Sequence, residues 1–286
     1  MQPMKKISMF FFVLTMALVG AAAPAQTSCL NWLFNDSSET EKLRAEFAKN
    51  VDSMTLEADY VKMIVSDAAG KIKRLGNNCQ SQYFVYVDRN PDKQIAMVCL
   101  FDSTTREIVI IGATKVSTGK PKAGDYFITP TGVFENSIKN PSYRAVGTKN
   151  AKGWRGLGAK NSRAWDFGWQ ETEKNGQKAY IRLLMHATDP DYGEQRLGQI
   201  ASKGCVRVSA KLNKFLDHHG ILDKDYEDHK NFKKVSWVLA RNREPVALAG
   251  KYLIVGDSQE IDYIPELPAP RWEPLRLDPI IANRKP

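Results

Sequence analysis

Residues 185–207, MHATDPDYGEQRLGQIASKGCVR, decide how this chain reads. The run Ile181-Arg182-Leu183-Leu184-Met185 before them is apolar and strand-like, which puts His186 at the end of a strand. Cys205 follows 19 positions later, beside Gly204 and between two cations, Lys203 and Arg207. A thiol attacks only as its thiolate, and a base, nearby positive charge and exposed amides all favour that form. The loop Asp189 to Ile200 gives the chain room to return, and Ser202-Lys203-Gly204-Cys205 makes a turn with an unhindered backbone. Amides at Gly204 and Cys205 can then point towards a developing oxyanion. These residue types point to acyl transfer with Cys205 as nucleophile and His186 as base. The alternative is a structural thiol and a core histidine that share a hairpin.

The surroundings are rich in short strands. Tyr83–Val87 and Gln94–Phe101 flank Arg89-Asn90-Pro91-Asp92, a hairpin signal. Glu107–Ala113, Val133–Phe134 and Tyr180–Met185 read as further strands, and Val235–Leu239 and Tyr252–Val255 as those that close the sheet system. The glycine-rich interval 147–168 reads as a long loop with strand pieces, and Ala210–His219 as a short helix ended by Gly220. The fold class expected is mainly β, with helices ahead of it.

Those helices fall within 26–81. Ser38 with Glu41 fits a capping box, with Leu43 and Phe47 one turn apart. A second helix is expected over Ser53–Asp67, with Leu56, Tyr60, Met63 and Ile64 inward. Residues 1–25 read as a signal peptide: Lys5 and Lys6, the apolar run Ile7–Val19, then Ala23-Pro24-Ala25. A periplasmic protein of roughly 260 residues with no stable membrane span after cleavage is expected. Removing Lys5 and Lys6 lowers the net charge from +9 to +7. The charge is scattered and carries no nucleic-acid motif, which argues against a nucleic-acid partner. Prolines crowd the tail 258–286, which reads as extended, with Trp272, Leu275, Leu277 and Ile280 as apolar anchors. Of the four cysteines, Cys29 and Cys79 form the expected disulfide, while Cys99 lies in an apolar run and reads as a buried small hydrophobe.

His186, a loop, then Ser202-Lys203-Gly204-Cys205-Val206-Arg207 resembles the catalytic signature of the L,D-transpeptidases of the YkuD type. A second block, Val116-Ser117-Thr118-Gly119-Lys120 followed by Thr129-Pro130-Thr131-Gly132-Val133-Phe134, resembles that family's upstream strand and Thr-Pro-x-Gly-x-Phe turn. The resemblance covers 82–257. It implies a β-sandwich catalytic domain in an exported enzyme that remodels peptidoglycan. By that analogy Cys205 forms an acyl-enzyme with a tetrapeptide stem and releases D-alanine. The acyl group then passes to a neighbouring stem as a 3→3 crosslink, to a free D-amino acid, or to an envelope protein. His186 matches the base and Gly204 the oxyanion hole. Arg207, Lys203, Ser202, Thr129, Pro130, Gly132 and Tyr192 match or flank positions that contact substrate.

Two residues depart from the family pattern. Lys203 stands where the family has a second histidine, and Ala187 where some relatives have serine. The turn at Thr129 reads either as plain structure or as a cleft wall. Trp154, Trp165 and Trp169 line a groove or pack inside, and Tyr192 and Arg196 form a lid or a solvated loop. His218, His219 and His229 lack ligand spacing, so no metal and no cofactor is expected. Hydrolysis of the same bond type, by a carboxypeptidase or amidase, and a non-catalytic peptidoglycan-binding module are the competing readings.

Overall fold

The computed structural model describes residues 25–76, 79–121 and 124–261, with side chains from 38 onward. The expected signal peptide and most of the proline-rich tail lie outside them. The chain divides into two units, Met1–Glu39 and Thr40–Pro286. In the first, the described residues belong to helix α1 (Ala25–Asn50). The second is mainly β, in two sheets.

Helix α2 (Ala58–Lys73) precedes strands β1 (Gln82–Asp88), β2 (Ile95–Phe101), β3 (Ile108–Lys115), β4 (Gly132–Glu135), β5 (Tyr143–Arg144), β6 (Arg163–Lys174), β7 (Gln177–Ala187) and β8 (Val206–Val208). Short helices α3 (Ala210–His218), α4 (Lys224–Asp228) and α5 (Lys233–Ser236) then lead to β9 (Tyr252–Gly256). The first sheet has the order β3-β2-β1-β9-β4, with β1 antiparallel to β2 and parallel to β9. The second has the order β5-β6-β7-β8.

Every residue of β1 and β2 is buried, because the first sheet is covered on both faces. Tyr83, Val85 and Val87 join Phe167, Leu183, Met185, Val206 and Val208 of the second sheet in one apolar cluster. Phe84, Tyr86, Met97 and Cys99 face the other way, onto Tyr60, Ile64, Ala68 and Ile72, which recur every fourth residue along α2. Leu43, Phe47 and Val51 belong to the inter-sheet cluster, so the last turns of α1 are part of the β core.

Three local expectations are corrected. Ser38 is not a cap: α1 runs unbroken from Ala25, since no proline or glycine interrupts 25–37. The second helix starts and ends about a turn later than Ser53–Asp67, because Met54 N–H donates to the Ala113 carbonyl at 2.9 Å and holds 52–57 extended along β3. Val235–Leu239 is not a strand. Val235, Val238 and Leu239 have helical spacing and pack with Tyr226 in a small satellite core beside α5.

The second sheet is pinned by a buried ion pair. Arg163, fully buried at the start of β6, donates from Nη2 to Asp223 Oδ1 and from Nη1 to the Val238 carbonyl, both at 2.8 Å. Its guanidinium carbon lies 4.9 Å from the Tyr226 ring centroid. Asn213 of α3 accepts from Arg163 N–H and donates to its carbonyl, clamping that helix to β6. A charge held without water depends on its partner. Asp223→Ala alone is expected to lower the unfolding free energy by about 3–5 kcal/mol in denaturant titrations, and the double change Arg163→Met/Asp223→Leu by less.

Candidate functional site

Strand periodicity selects the face on which the site lies. Leu183, Met185 and Ala187 of β7 point into the core, so Leu184 and His186 point away from it. β8 lies parallel to β7, with His186 opposite Arg207 and Met185 opposite Val206. Val206 and Val208 fill the core, which turns Arg207 and Cys205 to the face that carries His186. β6 pairs Ala164 with His186 and Asp166 with Leu184, and β5 adds Tyr143 opposite Ala164. One row of that face is therefore Tyr143, Ala164, His186 and Arg207. Asp166 and Leu184 form the next, and Cys205 stands in the bend that leads into β8.

His186 is buried, and its Nδ1 lies 2.8 Å from the Ala187 carbonyl. A carbonyl only accepts, so Nδ1 carries the proton and Nε2 is left with a free lone pair. Burial pulls the imidazole pKa down to about 4, and the Arg207 charge lowers it as well. The Cys205 thiol is pushed up, chiefly by burial. Leu184 and Arg207 oppose that rise: the backbone hydrogen bond from Leu184 favours the anion, so it is an N–H donor, and Arg207 acts by charge. Both groups therefore rest neutral, as thiol and imidazole.

The two sequence blocks are bolted to each other. Thr129 Oγ1 accepts from Gly119 N–H at 2.7 Å and donates to the Gly204 carbonyl at 2.8 Å. Ser117 exchanges both backbone hydrogen bonds with Arg207, and Ser202 N–H donates to the Thr118 carbonyl. Gly204 has φ +124°, and a Cβ there would come within 2.3 Å of Ile181 Cδ1, so only glycine fits the approach to Cys205.

Several expected substrate contacts become scaffold. Thr129, Pro130 and Ser202 are buried, and the Ser202 hydroxyl donates to the Cys205 carbonyl at 2.6 Å. Gly204 N–H donates to Ser202 Oγ at 2.9 Å, so that amide is already committed. Only the Cys205 amide of the expected oxyanion pair remains a candidate. Gly132 lies at the start of β4 with φ +145°, where it forms part of the turn. Lys203 projects to solvent, 3.9 Å from Asp125 and 5.6 Å from the centre of the Tyr126 ring. Arg207 is half-buried and donates to the Ala201 carbonyl at 3.3 Å. Tyr192 is exposed, 6.0 Å from the Trp154 ring. Trp165 is core, whereas Trp169 is exposed.

Cys79 and Cys99 carry free thiols, and Cys99 is buried as expected. The side chain of Cys29 lies outside the described residues, and the free Cys79 thiol departs from the expected Cys29–Cys79 disulfide. Among the described residues no group of three His, Cys, Asp or Glu side chains gathers as a metal site, and no helix is long and apolar enough to cross a membrane.

Sequence reading passed over Tyr143, Asp166 and Arg182. Asp166 is buried, accepts from Arg182 Nε at 2.7 Å and from Gly168 N–H at 2.9 Å, and its charge reaches both Cys205 and Tyr143. Only the β6–β7 register reveals it. The alternation Trp165-Asp166-Phe167, a polar residue between two core aromatics, was the available signal.

No protein-family profile matches the chain. No curated protein matches it either. Among solved structures, two of the helical cell shape determining protein Pgp2 from Campylobacter jejuni, one of them a point mutant, share 13% identity with it. Their TM-scores are 0.30 and 0.29, and the match covers 70% of this chain and 57% of theirs. The chain thus spans little more than half the length of that protein.

Two outcomes follow from the geometry. The unfolded imidazole takes a proton below about pH 6.5 while the folded one waits until about 4, so folding stability falls as pH drops through that window. Denaturant titrations at pH 4 and 7 are expected to show a loss about 3 kcal/mol larger for the wild type than for His186→Gln. Thr129→Val strands the Gly119 amide and the Gly204 carbonyl, which is expected to cost about 2–3 kcal/mol, with Thr129→Ser close to wild type by the same measurement.

Proposed function

We propose that the chain is an exported cysteine acyltransferase of the L,D-transpeptidase kind that acts on peptidoglycan stem peptides. The observation that carries this reading is the shared face of β7 and β8. That face carries His186, whose Nδ1 is engaged by the Ala187 carbonyl so that Nε2 is the basic nitrogen, and Cys205, whose thiol feels the charges of Arg207 and Asp166.

In the reaction, Cys205 Sγ attacks the carbonyl of the third stem residue while its proton passes to His186 Nε2. The tetrahedral oxyanion forms near the Cys205 amide. The imidazolium then gives its proton to the leaving amine, and D-alanine departs from a thioester. An acceptor amine attacks that thioester, its proton goes to His186 and on to the regenerated thiolate, and a new amide bond forms. Because thiol and imidazole both start neutral, the pair works by general-base transfer, with no standing thiolate–imidazolium pair. Lys203 in place of the family's second histidine leaves this route intact, since the base is the upstream His186. Arg207, in the row beside Cys205, favours the thiolate and offers a guanidinium to a substrate carboxylate.

Incubation with a disaccharide tetrapeptide is expected to give D-alanine, a covalent acyl adduct in intact mass, and dimers. Cys205→Ala should give none of these, and His186→Gln should slow acylation by about a hundredfold or more. A tripeptide product without dimers, whatever amine is added, would make the enzyme a hydrolase. The absence of any adduct on the wild-type thiol would sink the assignment.

A further inference from the structure

The β6–β7 hairpin carries a bulge on the face that holds His186. Leu184 pairs with Asp166 and Arg182 with Trp169, so three steps of β6 run against two of β7. Gly168, at φ +75°, takes up the extra residue. Without it Asp166 and Trp169 would face opposite ways, since their spacing along the strand is odd. With it both stand on the face of Arg182 and Leu184.

The bulge also fixes a cation. Asp166 accepts from Arg182 Nε through Oδ2 at 2.7 Å and from Gly168 N–H through Oδ1 at 2.9 Å. That carboxylate is buried, whereas the Arg182 side chain is 48% exposed. Its two Nη groups meet no acceptor among the described residues. A guanidinium held by Nε alone presents the rest of its fork already oriented. Opposite it the Trp169 ring is 68% exposed, and no cation covers it among the described residues.

Position relative to the sulfur decides what this fork can hold. The Leu184 N–H lies against the Cys205 sulfur, with His186 two residues further along β7 and Arg182 two residues before. Each is about 7 Å from Leu184 along the strand. His186 delivers its proton to the leaving amine, so that amine lies on the His186 side, which Arg207 also serves. The acyl residue then extends the other way, towards Arg182. The Tyr143 phenol feels the charges of both Cys205 and Arg182, so one surface joins them.

We infer that Arg182 and Trp169 form a subsite for the side chain of the acyl residue, and that this side chain ends in a zwitterionic amino-acid head. The inference rests on the acyltransferase reading of Cys205. The Arg182 fork takes the carboxylate, and the open indole takes the ammonium. A diaminopimelate at the third stem position has such a head, with its carboxylate about 7 Å from the attacked carbonyl when extended. Lysine at that position has the ammonium alone. Asp166 is a positioning residue, which sets the fork without touching the ligand.

Calorimetry on the full chain carrying Cys205→Ala tests this by binding alone. The ligands are tetrapeptides that differ only at the third residue: diaminopimelate, its side-chain carboxamide, and lysine. The free acid is expected to bind about tenfold more tightly than either of the others. Adding Arg182→Gln should bring that ratio to about one by weakening the acid alone, and Arg182→Lys should restore part of it. Asp166→Asn should lower the ratio and leave the lysine peptide unchanged, the mark of a displaced fork in an intact fold. Trp169→Ala should weaken all three, which share the ammonium. Equal affinity for acid and carboxamide before any change at Arg182 overturns the proposal, as does binding of none of them. So does a ratio that survives Arg182→Gln, or undiminished affinity in Trp169→Ala. If wild type forms no acyl adduct while the ratio holds, the catalytic reading falls and the subsite stands.

Discussion

The parallel pairing of β7 with β8 is the constraint on which the site depends. Parallel neighbours cannot be joined by a tight turn, because the chain must travel back to the starting end before running the same way again. The interval between His186 and Cys205 is that return path. Once the register sets His186 opposite Arg207, the bend at 203–205 delivers Cys205 directly ahead of β8. A slip of one residue would send the sulfur into the core and Val206 out of it.

Holding a thiol and an imidazole away from water has a cost. Burial disfavours the charged form of each, so it moves the two pKa values apart. At rest both groups are therefore favoured in their neutral forms. Arg207 and the Leu184 amide lean towards the thiolate, while Asp166 leans against it. The free energy for the arrangement comes from elsewhere, chiefly the two-sided burial of β1 and β2.

Conserving a motif's letters and using them at the surface are different things. Thr129, Ser202 and Gly204 stand in the blocks that resemble the L,D-transpeptidases, yet two of them work as internal struts and the third as a close approach. Their hydrogen bonds hold the backbone around Cys205 in place. The loop between His186 and Cys205 has a similar division, with Asp189 inside and Tyr192 outside.

The linear chain by itself determined that the protein is mainly β, where most strands lie, and that His186 stands at a strand's end. Those signals are local: apolar alternation, a Pro-Asp turn, a strand-end histidine and a glycine before a cysteine. It also misled locally, at Ser38 and at Val235–Leu239, because cap residues and short apolar runs are shared by more than one conformation. Only the tertiary structure decided which face carries the site, that Asp166, Arg182 and Tyr143 stand on it, and that α1 ends inside the β core. The physical reason is that register and sheet order are set by pairings between residues far apart in the chain. A side chain's own neighbours in sequence carry no record of them.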